Sequence, residues 1–170
     1  MIKNFKVQYI KHVNISTEYI DEIIKLKNQY WNYPIKSHKK WINENINDDD
    51  YHLWIEDSSG DILAYLNLVF LKVKFDKRIE EVIGIGNVCV NKDKARSGIG
   101  LLLMQICNYY ISCNEQRAIL LCKKTLVDFY KKANWEEFTG DILLKNNIYS
   151  EILMFNNLPD ESHLVIDREF

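Results

Sequence analysis

An apolar, β-type run over residues 82–90 ends in a short basic loop, Asn91-Lys92-Asp93-Lys94-Ala95-Arg96-Ser97. The loop closes on Gly98-Ile99-Gly100 and passes straight into the apolar helical stretch that begins Leu101-Leu102-Leu103-Met104. A strand that turns this tightly into a helix leaves several backbone N–H groups unpaired at the helix N-terminus, where the helix dipole also favours an anion. Glycine suits such a turn because a phosphate must approach the backbone closely and the loop can require φ > 0. Lys92, Lys94 and Arg96 add positive charge at the same place. The segment reads as a site for a phosphate or pyrophosphate; a glycine-rich β-to-α turn without a ligand is the alternative.

Spacing narrows the ligand. A dinucleotide fold requires Gly-x-Gly-x-x-Gly after a strand, yet counting from Gly98 the third position is Leu103, and from Gly84 it is Cys89. No Gly-x-x-x-x-Gly-Lys-Ser/Thr string occurs. With Val88-x-Val90 at the strand end and Gly98-x-Gly100 at the helix start, the segment resembles the acetyl-CoA-binding motif of the GNAT N-acetyltransferase superfamily. That motif has Gln/Arg-x-x-Gly-x-Gly/Ala after the strand. Here its first position is Ala95, with the arginine displaced to Arg96. A second segment, from Ala118 through Phe129-Tyr130-Lys131-Lys132-Ala133-Asn134-Trp135, resembles the family's strand and helix ending Phe-Tyr-x-x-x-Gly-Phe. Asn134 replaces the glycine, and asparagine tolerates the left-handed conformation of a helix cap. Trp135 keeps an aromatic plug. By itself Tyr130 reads better as a core or capping tyrosine at a helix end.

The remaining chain supports one soluble domain spanning 1–170. Its 170 residues suffice for one core, and 47% hydrophobic with 27% charged residues is a globular composition. A net charge of −2 argues against non-specific nucleic-acid binding. The N-terminus lacks an apolar signal region, and the apolar stretch 62–73 is interrupted by Asn67 and Lys72, so no membrane span is expected. Cys89, Cys107, Cys113 and Cys122 form neither Cys-x-x-Cys pairs nor His-partnered metal spacings. No metal is expected, and a reducing cytoplasm suits free thiols.

Hydrophobic patterning predicts a strand over 5–15, then a helix capped by Ser16 or Thr17 with Ile20, Ile23, Ile24 and Tyr30 on one face. A polar helix follows over 37–47. Strands over 51–56 and 61–75 flank a hairpin turn at Asp57-Ser58-Ser59-Gly60, and another turn falls at Lys77-Arg78. The motif strand runs over 83–90; Gly84 and Gly86 within it mark a bulge or a close approach by something else. A helix over 98–114, a strand over 118–123, a helix over 126–133, strands over 135–139 and 151–156, and a tail over 163–170 complete the order. The class is α+β. The resemblance implies a GNAT-like fold: a mixed, mostly antiparallel, twisted sheet flanked by about four helices.

The resemblance also implies a chemistry. An acetyl group would pass from acetyl-CoA to a primary amine of a small molecule or peptide, by direct attack in a ternary complex. The main chain of Val88, Cys89 and Val90 would pair with the pantetheine arm, the Val88 N–H facing the acetyl carbonyl. The amides of Arg96, Ser97, Gly98, Ile99, Gly100 and Leu101 would hold the pyrophosphate, and Tyr130 would protonate the departing sulfur. Some members carry a basic glutamate fourteen residues before the first motif glycine, a position that is Gly84 here. Glu80 and Glu81, read as turn residues, and His52 and His163 are the other titratable candidates; Cys122, without a His/Asp pattern nearby, reads as packing. Trp31, Tyr33, Trp41 and Trp135, with Glu136, Glu137, Asp141 and Glu151, suit a cationic amine. The C-terminal wording more distantly resembles the aminoglycoside 2′-N-acetyltransferase branch. A homodimer is compatible with the family. Two other readings stay open: a catalytically weak acetyl-CoA-binding sensor or subunit, and a phosphate-binding structural domain without CoA.

Overall fold

Alternating apolar and polar residues carry the first strand, β1 (Phe5–Lys11), which stops short of the expected residue 15. The reason is local: the His12 N–H still bonds the Asp50 carbonyl in register at 2.8 Å, but Val13 bonds Asp48 at 3.2 Å, one residue out of register, and 12–14 form a 3₁₀ turn. The computed structural model describes residues 4–75, 78–144, 147–148, 151–157, 163–166 and 168–170. By backbone proximity the chain divides into two units, Met1–Leu68 with Asn87–Met104, and Val69–Gly86 with Gln105–Phe170.

The first unit holds β1, α1 (Thr17–Asn28), α2 (Ile35–Asn45) and β2 (Tyr51–Asp57). It also holds the beginning of β3 (Ile62–Phe75), the end of β4 (Arg78–Val90) and the first turns of α3 (Ile99–Cys113). Ser16 caps α1 by accepting the Tyr19 N–H. Helix α2 starts at Ile35, earlier than the polar pattern suggested, because Pro34 ends the preceding loop with a φ of −54° that suits helix entry. β1 pairs antiparallel with β2 from Phe5↔Asp57 to Lys11↔Tyr51, and β2 with β3 from Tyr51↔Leu68 to Glu56↔Ile62. At the hairpin, Asp57 Oδ1 accepts the Ser59 and Asp61 N–H groups, and Gly60 supplies φ +87°. Ile23, Leu26, Trp54, Ile62, Tyr65 and Cys89 form a buried cluster, with Ile10, Ile15, Tyr19 and Trp31 packed around it.

The second unit holds β5 (Ala118–Cys122), α4 (Val127–Lys132), β6 (Glu136–Glu137), β7 (Asp141–Leu144), β8 (Asn147–Ile148), β9 (Ile152–Asn156) and β10 (His163–Ile166). Strand β5 runs parallel to β4 through Ile83–Ile85 and antiparallel to β9 over its whole length. β10 runs parallel to β7 and antiparallel to the last three residues of β3, Val73 to Phe75. The strand expected over 135–139 is only two residues long, although Phe138 still donates its N–H to the Leu153 carbonyl of its partner β9 at 2.9 Å. β7 and β8 were not anticipated. Of the Lys77-Arg78 turn, Lys77 lies outside the described residues and Arg78 is already in β4.

The strands hydrogen-bond in the order β6-β9-β5-β4-β3-β10-β7-β8, with β2 also on β3 and β1 on β2. The sheet is mixed and mostly antiparallel, and four α-helices occur among the described residues. No described helix is long and apolar enough to cross a membrane.

Candidate functional site

The loop after β4 is built from successive backbone turns. Asn91 anchors it by donating its N–H to the Leu63 carbonyl at 2.8 Å, and its side chain accepts the Asp93 N–H at 3.0 Å. Residues 92–94 make a 3₁₀ turn, with Lys94 bonded to Asn91 and Ala95 to Lys92. The backbone then takes two left-handed steps, Arg96 at φ +63° and Gly98 at φ +86°, before α3 begins. Gly98 is open: a Cβ placed on it would meet no atom within 4 Å. The first amides of α3 have no carbonyl one turn earlier within the helix, so their dipoles are offered to this open ground. Lys92, Lys94, Arg96 and Ser97 are all exposed. A surface cavity of about 330 Å³ touches the loop at Asn91, Asp93 and Lys94. Glu22, Asp57 and Asp61 also line it, and with Asp93 their charge opposes a phosphate there.

The strand entering the loop is distorted where the reading needs free backbone. The register of β4 with β5 ends at Ile85↔Leu120. Asn87 follows with φ +53°, a break no regular strand tolerates. Its carboxamide donates to Asn67 Oδ1 at 2.6 Å, and Asn67 is fully buried, so the break is tied to β3 by a side-chain bond. Val88 and Val90 are half-buried, whereas Cys89 is buried. The Tyr30 hydroxyl donates to the Val90 carbonyl at 2.6 Å, and Gln29 Oε1 accepts the Lys92 N–H at 2.9 Å. The residues following α1 therefore clasp both ends of the strand-to-loop junction. Cys89 is no nucleophile: burial pushes its thiol up to about 12.

In the second unit, the Tyr130 segment takes the form its sequence suggested. Asn134 sits at φ +63°, in the place of the motif glycine. The Tyr130 carbonyl accepts the N–H groups of Ala133 at 2.9 Å and Trp135 at 3.1 Å, closing the end of α4. Tyr130 is buried, 5% exposed, with its ring edge-on to Phe129 at 5.0 Å. Trp135 is 1% exposed, and its indole N–H donates to Asn108 Oδ1 at 2.9 Å. It is a core plug and not the wall of an amine pocket, unlike the exposed Tyr33 and the half-buried Trp31 and Trp41.

Residues 16–150 match the family described as the acetyltransferase (GNAT) domain. The chain belongs to the GNAT family. No functionally curated protein matches the sequence. Among solved structures, Escherichia coli ElaA is similar with a TM-score of 0.66 at 16% identity, over 89% of this chain and 98% of that one. An acyl-CoA N-acyltransferase from Pseudomonas aeruginosa is similar with a TM-score of 0.65 at 19% identity, over 90% of this chain and 99% of that one. The Bacillus subtilis N-acetyltransferase YlbP, in complex with coenzyme A, has a TM-score of 0.59 at 18% identity, over 94% of this chain and 99% of that one. At these identities the likeness is one of fold.

The position where some GNAT members carry a glutamate is sealed in this chain. A Cβ on Gly84 would lie 2.6 Å from Leu71 Cδ1 and 2.7 Å from Cγ and Cδ2 of Phe170. The close approach that Gly84 signalled is thus the Phe170 ring. Glu80 is not a turn residue: it lies in β4, half-buried, paired with Arg117 and, at 3.4 Å, with Arg78. Glu81 is exposed. His163 is exposed and pairs with Asp141 at 3.2 Å. Burial, followed by the Glu151 and Glu137 carboxylates, pushes the Cys122 thiol up to about 11, which agrees with packing.

The first unit contains a buried polar group that sequence reading only partly found. His52 is fully buried; its Nδ1 lies 2.7 Å from the Tyr65 hydroxyl and its Nε2 2.9 Å from His12 Nδ1. Desolvation first, then His12 and Lys27, pushes His52 down to about 3, so it is neutral at physiological pH. Each neutral imidazole donates through one ring nitrogen and accepts through the other, so the chain of bonds runs either from Tyr65 through His52 to His12 or in the reverse direction, according to the tautomer. Beside them lies Lys27, 4% exposed, with Nζ 4.6 Å from the centre of the Trp41 ring. Its signal was present in the sequence, since Lys27 falls at helical spacing after Ile20, Ile23 and Ile24 on the apolar face of α1. A lysine on such a stripe usually snorkels to water; this one does not.

Proposed function

We propose that the chain, as one domain over 1–170, is an acyltransferase that moves the acetyl group of acetyl-CoA to a primary amine of a small molecule or peptide. The observation that carries this reading is the junction from β4 through Gly98 to α3: a strand broken at Asn87, a loop with two left-handed residues, an open glycine and a helix N-terminus beside exposed cations. Membership of the GNAT family and the coenzyme A complex of the similar YlbP support it. In this reading the amides of 96–101 hold the pyrophosphate. The main chain of Val88, Cys89 and Val90 receives the pantetheine arm, and the Val88 N–H stabilises charge on the acetyl oxygen. Tyr130 supplies the proton for the departing sulfur. Acetyl-CoA brings the activated thioester; the residues orient it and manage protons around it. Metal-free chemistry of this kind needs a neutral amine, and the reaction follows direct attack in a ternary complex.

A panel of amines assayed by release of free thiol tests this. Amine-dependent thiol release supports the transferase. The sealed Gly84 position favours a second reading, a weakly catalytic acetyl-CoA-binding sensor or subunit. Acetyl-CoA binding with only slow thioester hydrolysis, unstimulated by any amine, would favour that sensor. No binding at all would leave the phosphate-binding structural domain.

A further inference from the structure

A lysine withdrawn from water normally finds a carboxylate, because an unpaired buried ammonium is costly. Lys27 has none: among the described residues no acid pairs with it, and its ammonium lies over the Trp41 face. The titratable groups facing it are the Cys89 thiol from β4, the His52 imidazole from β2 and the His38 imidazole from α2. Tyr65 of β3 belongs to the same buried cluster as Cys89. None of these is an anion at neutral pH. His38 is held by the Trp31 carbonyl at 3.0 Å, and Cys89 and Tyr65 are both pushed towards their neutral forms by burial.

Cys89 stands between Val88 and Val90, the residues whose backbone the proposed function gives to the pantetheine arm. The unpaired amine and the strand assigned to the thioester therefore belong to one unit, where Leu26, the neighbour of Lys27, shares a buried cluster with Cys89, and Tyr30, one turn on, bonds the Val90 carbonyl. Burial, opposed by Cys89, lowers Lys27 to about 8. At pH 7.5 roughly a quarter of such an amine is neutral, against about 0.1% for an ordinary lysine near 10.4.

We propose that Lys27 is a self-acylation site, its side-chain amine taking the acyl group from an acyl-CoA thioester held on β4. The inference rests on the proposed function of that strand. The neutral Nζ lone pair adds to the thioester carbonyl carbon; the C–N bond forms as the C–S bond breaks. Sulfur leaves as the thiolate and takes up a proton, while nitrogen gives one to water. The product is an uncharged amide at residue 27 and free CoA thiol. An unpaired buried ammonium is thereby replaced by a neutral group, which the surroundings accommodate better.

The test uses the wild-type protein with acetyl-CoA at pH 7.5. Acetylation of each lysine is followed by peptide mass spectrometry, with binding measured in parallel by calorimetry. Lys25 and Lys40, whose side chains are 70% and 74% exposed, are internal references. Random acetylation from bulk solution reaches the exposed lysines first and Lys27 last. The expected result is the reverse: Lys27 labelled at least about tenfold faster, saturating with acetyl-CoA, and falling to the reference rate in a folded Gly98→Glu variant. Binding of acetyl-CoA with Lys27 no faster than the references overturns this inference and leaves the proposed function standing. Failure of acetyl-CoA to bind removes the proposed function and this inference with it. Rapid Lys27 labelling that Gly98→Glu leaves unchanged overturns delivery from the β4 site.

Discussion

Replacing Gly84 with alanine isolates the contact that seals the motif strand. The added Cβ would sit 2.6 Å from Leu71 Cδ1 and 2.7 Å from two atoms of the Phe170 ring, distances that real Cβ atoms do not sustain. Overpacking of this kind costs ~1–3 kcal/mol. Gly84 does not adopt a positive φ, so alanine recovers about 0.4–1 kcal/mol by restricting the unfolded chain. The net expectation is a loss of roughly 0.5–2 kcal/mol. Leu71 can swing its terminal methyl; the flat Phe170 ring has less freedom, so most of the strain belongs to the ring. In a Phe170→Ala background Gly84→Ala should therefore be near neutral, a coupling of about 0.5–2 kcal/mol for two side chains in direct contact. Urea unfolding of the four proteins measures this, with the midpoint shifting at constant slope. Equal costs in both backgrounds, or no cost in either, would refute the claim that Phe170 occupies the space above Gly84. The outcome also bears on chemistry, because a glutamate at this position would meet the same ring.

The other predictions concern the site itself. Gly98→Glu places a side chain and a negative charge at a left-handed, open position, and acetyl-CoA binding followed by calorimetry should weaken more than tenfold, above about 1.4 kcal/mol; unchanged affinity in a folded variant would remove the anion-loop reading. Tyr130→Phe should lower kcat by about 10²-fold with little change in KM for acetyl-CoA, and less at higher pH, where the thiolate needs no proton; a kcat within about threefold of wild type would leave protonation of the sulfur to water. Lys27, lowered to about 8 in the folded state against ~10.4 unfolded, is protonated in both states only well below pH 8, where its penalty is complete. Between those values the unfolded chain binds more protons, so stability should rise with pH by up to about 3 kcal/mol, and Lys27→Met should gain stability at pH 7 and lose that rise. A denaturation series from pH 7 to 10.5 that is flat for both proteins would contradict the unpaired burial of Lys27.

Much of the candidate site was legible because its chemistry is local. The basic loop, Gly98 and the helix behind it follow from residues adjacent in the chain, and so does the left-handed Asn134 that ends α4. Local pattern also located β2, β3, α1 and α3 to within a residue or two. Where the pattern misled, a distant partner intervened. Asp48 takes the Val13 N–H out of register where β1 ends. β7 and β10 are four-residue strands that exist through their parallel pairing from His163↔Asp141 to Ile166↔Leu144, a register that no short-range periodicity encodes. Trp135 was readable as an aromatic, but only Asn108 and the surrounding core decide that it is a plug.

The sequence by itself determined the order of elements as far as α4, the family, and the anion-friendly turn, since each depends on dihedral preferences and hydrophobic spacing over a few residues. Tertiary structure alone decided which polar groups lost their water. It drew Lys27 beneath Trp41 without an acid, joined His12, His52 and Tyr65 in one chain of hydrogen bonds, and laid Phe170 against Gly84. Desolvation depends on everything packed around a group, and those neighbours come from segments far apart in the chain.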